Sequence, residues 1–144
     1  MMKHLTQLFG MVLLVTLAAG CTHNNGDIGS WFGTWNVERI EIDGVAQADY
    51  QGQYFFQFQS TVFCVRKVDE QRTDYLENYG RWSEDGDVLT IAFPDASVAY
   101  VDFSALLDAD NRFTMVERGN RSVVLTRTDG KGRLQRLTLK KIVP

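Results

Sequence analysis

Very few side chains in this sequence could serve as a catalytic base or a metal ligand. The two histidines, His4 and His23, both lie near the N-terminus, and the two cysteines are Cys21 and Cys64. A Ser-His-Asp triad or a Cys-His pair needs an imidazole beside the nucleophile, so neither is expected in the rest of the chain. Cys64 is the single cysteine outside the N-terminal segment, and one cysteine cannot form a thiolate cluster that binds a metal. The sequence therefore predicts no enzyme, no metal site and no cofactor.

Short groups of oxygen-bearing side chains resemble motifs used elsewhere for catalysis or calcium binding. They are Glu38 with Glu41, Asp85 with Asp87, and the motif Asp108-x-Asp110-Asn111. The first two pairs lie at a predicted bulge and a predicted turn, where carboxylates are common, and not in a glycosidase-like cleft. The third lacks the Gly and the closing Glu of an EF-hand loop, so we interpret it as a solvated turn.

Cys21 carries the clearest chemical signal in the chain. Lys3 precedes an apolar run from Leu8 to Ala19, which is too short to span a membrane and is typical of a signal peptide. The residues Leu17-Ala18-Ala19-Gly20-Cys21 resemble a lipobox, although Ala18 stands where Leu is usual. This resemblance implies cleavage before Cys21, acylation of its thiol and a membrane anchor. The alternative is ordinary secretion, with cleavage after Ala19 or Gly20.

The predicted signal peptide and lipobox divide the chain into three regions. Residues 1–20 are the predicted signal peptide, 21–30 a flexible tether rich in Asn, Gly and Ser, and 31–144 one folded domain. Thr22 after the cysteine is not Asp, which by resemblance to lipoprotein sorting in Gram-negative bacteria implies the outer membrane, facing the periplasm or the cell surface. We expect a monomer, with Cys64 as a small buried hydrophobe in an apolar strand.

Short β-rich runs separated by turn dipeptides make up the predicted domain. The predicted strands are 33–42, 53–59, 61–68, 74–83, 87–93, 98–103, 112–118, 121–128 and 133–142, with a short helical turn at 104–108. The turn steps are Asp43-Gly44, Asp85-Gly86, Gly119-Asn120 and Asp129-Gly130. This regular spacing predicts an all-β fold, an antiparallel up-and-down meander of eight to ten strands closed into a barrel.

Alternation within the strands predicts which side chains face inward. Tyr54, Phe56 and Phe58 alternate with polar residues, so one face is strongly aromatic. In the first strand Trp35 and Val37 are odd-numbered whereas Ile40 and Ile42 are even-numbered, which predicts a β-bulge near Glu38 and Arg39.

A family resemblance rests on a few positions in a fixed order. Gly33 and Trp35 form a Gly-x-Trp step in Ile28–Val37, Gly80-Arg81-Trp82 precedes Asp87–Ile91, and Leu137–Ile142 closes the chain. This order resembles the lipocalins, and especially short lipocalin-like envelope lipoproteins. The resemblance implies that Gly33 and Trp35 plug one end of a barrel and that a basic residue from a late strand covers Trp35. Candidates for that residue are Arg127, Arg136 and Lys140.

Charge is divided unevenly along the chain. Residues 21–110 carry 5 basic and 16 acidic side chains, whereas 111–144 carry 9 basic and 2 acidic ones. The net negative charge disfavours nucleic acid as a partner. If the last strand pairs with the first, Arg133, Arg136, Lys140 and Lys141 approach Glu38, Glu41 and Asp43. The alternative is a basic face for an anionic lipid or glycan.

Two functions remain open at this stage. The lipocalin resemblance implies a binding protein with a small apolar or lipid-like ligand in the barrel, lined by Tyr54, Phe56, Phe58, Phe63, Trp82 and Tyr100. The second is a ligand-free scaffold or inhibitor that binds a protein or glycan through loops 43–52, 69–73 and 104–111, because barrels of eight strands are often filled by their own side chains.

Overall fold

Nine antiparallel strands form the described part of the chain. The computed structural model describes residues 31–94, 103 and 105–143. The strands are β1 Gly33–Ile42, β2 Val45–Ala46, β3 Tyr54–Gln59, β4 Val62–Val68, β5 Tyr75–Asp85, β6 Val88–Ala92, β7 Asp110–Arg118, β8 Ser122–Thr128 and β9 Leu134–Val143. The predicted strand 98–103 lies outside the described residues except for Phe103.

The sheet closes on itself. Each strand from β3 to β9 pairs with its predecessor in the sheet, and β9 pairs with β1, so eight strands form a closed barrel to which β2 is added at β1. The all-β barrel predicted from the sequence is therefore confirmed. The two-residue strand β2 was not predicted. It is exposed, and Ile42 pairs with Val45 around the Asp43-Gly44 turn, where both turn residues have positive φ.

A bulge in β1 bends the barrel wall as the alternation predicts. The pairing of β1 with β9 shifts register between Val37 and Arg39, so Glu38 has no partner residue there. Val37 and Ile40 consequently both point into the core, where they are buried. Among the other predicted turns, Asp129-Gly130 differs in detail, because Gly132 and not Gly130 takes the positive φ.

Connections after β1, β4, β6 and β8 lie at one end of the barrel, called the mouth below. The described part of the β6–β7 connection turns inward there. Leu106 and Leu107 donate backbone hydrogen bonds to the Phe103 carbonyl, which forms the helical turn expected near 104–108. Phe103, Leu106 and Leu107 are all almost completely buried. This turn covers part of the mouth with apolar side chains.

Candidate functional site

The inner faces of β3, β4 and β5 carry three rows of side chains. Register places the top row nearest the mouth and the bottom row deepest. The rows are Tyr54–Lys67–Leu76, Phe56–Val65–Asn78 and Phe58–Phe63–Gly80. The interior wall therefore changes from mixed polarity at the mouth to fully aromatic in the depth.

Aromatic rings fill the bottom of this wall. Phe56, Phe58 and Phe63 have no exposed surface, and the Phe63 ring lies 5.1 Å from Phe56 and 5.3 Å from Phe58, centroid to centroid. The half-buried Trp82 meets Phe58 edge-on at 5.2 Å. Gly80 leaves the space that the Phe93 ring occupies, because a Cβ there would lie 2.9 Å from that ring. These contacts make the bottom rows a packed core.

The top row remains accessible from solvent. Leu76 has an inward register position, yet half of its surface is exposed. Tyr54 is buried between a stacked Tyr50 ring at 5.6 Å and Lys67, whose Nζ lies 5.8 Å from the Tyr54 ring. The Tyr50 hydroxyl donates a hydrogen bond to the Val37 carbonyl, and burial raises the pKa values of both tyrosines.

A buried polar cluster holds the apolar turn over the other part of the mouth. Arg127 donates to Asp108 at 2.7 Å, to the Leu106 carbonyl at 3.1 Å and to Gln135 at 2.6 Å. Gln135 also donates to Leu106. The Asn111 side chain accepts from the Asp108 backbone and donates to two carbonyls. The interpretation of Asp108-x-Asp110-Asn111 as a solvated turn is therefore wrong for Asn111, which is 1% exposed, whereas Asp108 keeps a 39% exposed side chain while it binds Arg127.

Asn78 is the polar exception in the middle row. Its side chain is 92% buried, since its relative exposure is 8%. The amide nitrogen Nδ2 is buried without a hydrogen-bond partner. Its register neighbour Val65 is fully buried and apolar. A donor directed into an apolar interior can bind an acceptor that arrives with a ligand.

Cys64 lies on the outer face of β4, and it is buried as the sequence indicates. Its Sγ lies 3.7 Å from Oε2 of Glu77, and Arg66 donates to the same oxygen at 3.0 Å. Burial, and then the Glu77 charge, raise the pKa of the Cys64 thiol to about 11. A shallow outer groove of about 280 Å³ runs past it, lined by Thr34, Phe55, Gln57, Cys64, Arg66, Val68 and Ile142.

Gly33 and Trp35, the predicted plug, lie at the start of β1, and a basic side chain other than the three candidates covers the indole. Gly33 has φ 117°, which favours glycine, and Trp35 is 4% exposed. The cation over the indole is Lys141, whose Nζ lies 5.8 Å from the ring. The three candidates Arg127, Arg136 and Lys140 were wrong, because Arg127 enters the mouth cluster and the register sets Trp35 opposite Lys141.

Of the six predicted ligand-contacting residues, the structure brings five onto the inner wall. Tyr54, Phe56, Phe58, Phe63 and Trp82 share it, whereas Tyr100 and the predicted lipidation site Cys21 lie outside the described residues. Sequence reasoning missed Lys67 and Asn78. The same two-residue alternation that identified Phe63 also indicates that Val65 and Lys67 face inward, and it relates Asn78 to Trp82.

No group of three or more His, Cys, Asp or Glu side chains within the described ranges is arranged to hold a metal ion. Within the same ranges, no helix has the length and apolar composition needed to span a bilayer.

Solved structures share this barrel. A lipocalin-like protein from Bacteroides uniformis aligns with a TM-score of 0.63 and 17% identity, over 79% of this chain and all of its own. An uncharacterized protein from Bacteroides eggerthii aligns with a TM-score of 0.61 and 18% identity, over 78% of this chain and 99% of its own. Lobster apocrustacyanin A1 gives a TM-score of 0.44 and 10% identity, over 84% and 66% of the two chains. No protein-family model and no curated protein matches the sequence. The similarity to the Bacteroides uniformis protein shows a lipocalin-like fold.

Proposed function

We propose that this protein is an outer-membrane-anchored, lipocalin-like lipoprotein that binds a small apolar ligand at the upper part of its barrel wall, without catalysis or a cofactor. The exposure of Leu76 is the observation that supports ligand binding. This residue faces the barrel axis beside Tyr54 and Lys67, yet half of its surface is exposed. Exposed apolar surface on an inner barrel wall, next to a few polar groups, is typical of a ligand entrance. The packed Phe rings below would form the floor of the site.

A pair of variants on one strand tests the binding site. Leu76→Lys would place a charge on the inner wall, and we expect it to weaken binding of a fluorescent naphthylamine probe at least severalfold. Tyr79→Lys is the matched control, because Tyr79 is 61% exposed on the outer face of the same strand. Native mass spectrometry of protein purified from its own membrane would identify a retained ligand. Equal probe binding by both variants would contradict a site at the mouth.

The anchor has its own test. We expect Cys21→Ser to abolish incorporation of an alkyne-labelled fatty acid and to release the protein from the membrane fraction. Cys64→Ser is the control, and its labelling should equal that of the wild type. Labelling that survives Cys21→Ser would contradict the anchor, and ordinary secretion would then explain the signal peptide.

A second candidate is a ligand-free monomer that binds a protein or glycan through its loops. The mutual packing of Phe56, Phe58 and Phe63 favours it, because a filled interior needs no ligand. The described residues of loops 43–52, 69–73 and 104–111 lie at the mouth, where such a partner would bind. Tyr75, beside the second loop, is 52% exposed. A native mass spectrum without bound small molecules, together with probe binding that Leu76→Lys leaves unchanged, would favour this candidate.

A further inference from the structure

Asn78 differs from the other buried side-chain amides of the described residues. Asn111 donates to the carbonyls of Ile91 at 3.0 Å and Asp108 at 2.8 Å, and Gln135 donates to Leu106 at 2.9 Å. Nδ2 of Asn78 is buried to a similar degree and has no acceptor. Buried polar groups are nearly always hydrogen-bonded, because an unmet donor loses its water without replacement.

The neighbours of Asn78 on the inner faces of β4 and β5 carry no hydrogen-bonding side chain next to it. Its register neighbour Val65 is apolar, and the next inward position on β5 is Gly80. The next position toward the mouth is Leu76, which is half exposed. Two residues of a strand span about 7 Å, so the amide lies within one small-molecule length of solvent.

Charged groups of both signs stand beside this path, because Asp69 and Asp74 line the same pocket as Lys67 and Leu76. Lys67 is opposite Leu76 in the top row, so its ammonium group lies at the entrance. An ammonium group repels cations and attracts carboxylates. An acceptor oxygen that passes Leu76 therefore meets a cation first and a buried amide donor next.

We infer that the ligand of this barrel is an amphiphile with a carbonyl or carboxylate oxygen, and that Asn78 Nδ2 donates a hydrogen bond to that oxygen below the mouth. This inference rests on the proposed function, and it adds the polar group of the ligand and the residue that selects it. The apolar part of the ligand contacts Leu76 and Tyr54.

The test compares two ligands that differ only in the acceptor. Undecan-2-one and undecane are competed against a bound naphthylamine probe on the full chain, with wild type and Asn78→Ala. We expect the wild type to prefer the ketone and Asn78→Ala to reduce that preference roughly 2- to 10-fold, the range that one net hydrogen bond gives. Binding of decanoate and of undecan-2-one to Lys67→Met separates the role of a carboxylate from that of a ketone. Only decanoate should bind this variant more weakly than it binds the wild type.

Stability provides a second readout that needs no ligand. Asn78→Leu replaces an unpaired amide by an apolar group of similar size, so the melting temperature of the free protein should not fall. Asn111→Leu is the matched control, and its melting temperature should fall by several degrees because two carbonyls lose their donor. A fall for Asn78→Leu equal to that of Asn111→Leu overturns the inference. An unchanged ketone preference in Asn78→Ala also overturns it, whereas a wild type that binds neither ligand rejects the proposed function as well.

Discussion

The guanidinium of Arg127 in β8 and the carboxylate of Asp108 ahead of β7 form an ion pair, with 2.7 Å between Nη1 and Oδ2. The arginine side chain is 5% exposed and the aspartate 39% exposed, so the positive charge is the desolvated partner. Its guanidinium carbon also lies 5.2 Å from the ring centre of Phe113. Arg127 thus joins the turn at the mouth to two strands of the barrel.

Arg127→Met should lower the free energy of unfolding by about 2–4 kcal/mol, because it leaves the buried Gln135 oxygen without its donor and removes one of the two donors to the Leu106 carbonyl. Urea denaturation measures this loss. Arg112→Met, at an exposed position on β7, is the control and should change stability by less than about 0.5 kcal/mol. Equal effects of the two changes would mean that water replaces the buried guanidinium.

Gly80→Ala should destabilise the barrel by about 1–3 kcal/mol through overpacking. The added Cβ would lie 2.5 Å from the Ala92 carbonyl oxygen and 2.9 Å from the Phe93 ring. Arg81→Ala, at the neighbouring exposed position, should be nearly neutral. Denaturation midpoints compare the two variants, and a neutral Gly80→Ala would show that Phe93 can move away from the glycine.

Trp35→Ala should cost about 3–5 kcal/mol, because a buried indole leaves a cavity where the barrel closes. Lys141→Met should cost much less, about 0.5–1 kcal/mol, since it removes the cation over the ring and leaves the indole buried. A loss for Trp35→Ala below about 1 kcal/mol would contradict its role as a plug.

Local patterns in the sequence were sufficient to predict the barrel. Alternation in β3 identified the aromatic face, and the change of parity between Val37 and Ile40 identified the bulge, because both depend on the two-residue period of one strand. The contacts of Arg127 and Lys141 depend instead on the register between strands. A shift of one residue in β9 would have set Lys140 opposite Trp35, but it would also have turned the buried Leu137 and Leu139 away from the core, so that choice depends on both strands together.

The polar residues of the candidate site were harder to predict for a related reason. Asn78 and Lys67 break the apolar alternation, so each resembles an ordinary outward-facing residue when its strand is considered alone. Alternation from Phe63 and from Trp82 assigns them to the inner face, and the alignment of Phe56, Val65 and Asn78 across three strands agrees with that assignment.

Cys64 provides a test at high pH. Its thiol has an ordinary pKa of 9.0, which burial and the charge of Glu77 raise to about 11. Between these two values the folded state therefore keeps a proton that the unfolded state loses. The contribution of the buried thiol to the free energy of unfolding is complete below pH 9, and it disappears as the pH rises toward 11. We expect the difference in unfolding free energy between wild type and Cys64→Ala to shrink over that interval.

Alkylation by iodoacetamide measures the same thiol directly. The rate should increase with pH until about pH 11 in the wild type, because the thiolate is the nucleophile. Glu77→Gln removes a negative charge near the sulfur, so the midpoint should move to lower pH. A wild-type midpoint near 9 would show that Cys64 is solvated.

Closure of the barrel places the acidic first strand against the basic last one. Glu41 and Arg136 are register partners in β1 and β9, and their side chains approach to 3.5 Å. Arg136 also lies 3.6 Å from Glu117 on β7. Arg133, another basic residue expected near β1, pairs instead with Asp129 in its own hairpin. The pairing predicted from the uneven charge is therefore confirmed for Glu41 and Arg136, and Arg133 was assigned to the wrong partner.

A double-mutant cycle with Glu41→Gln and Arg136→Met should show favourable coupling of about 0.2–1 kcal/mol, because the arginine is 40% exposed and solvent screens the pair. The coupling should decrease when the salt concentration rises from 0.05 M to about 1 M, since the Debye length falls to about 3 Å. Glu38 with Lys140 is the control cycle, because the described residues show no ion pair between them, and its coupling should be near zero. The two cycles could instead give the same coupling at both salt concentrations. The contact between Glu41 and Arg136 would then contribute nothing to closure, and hydrogen bonds between β1 and β9 alone would hold these strands together.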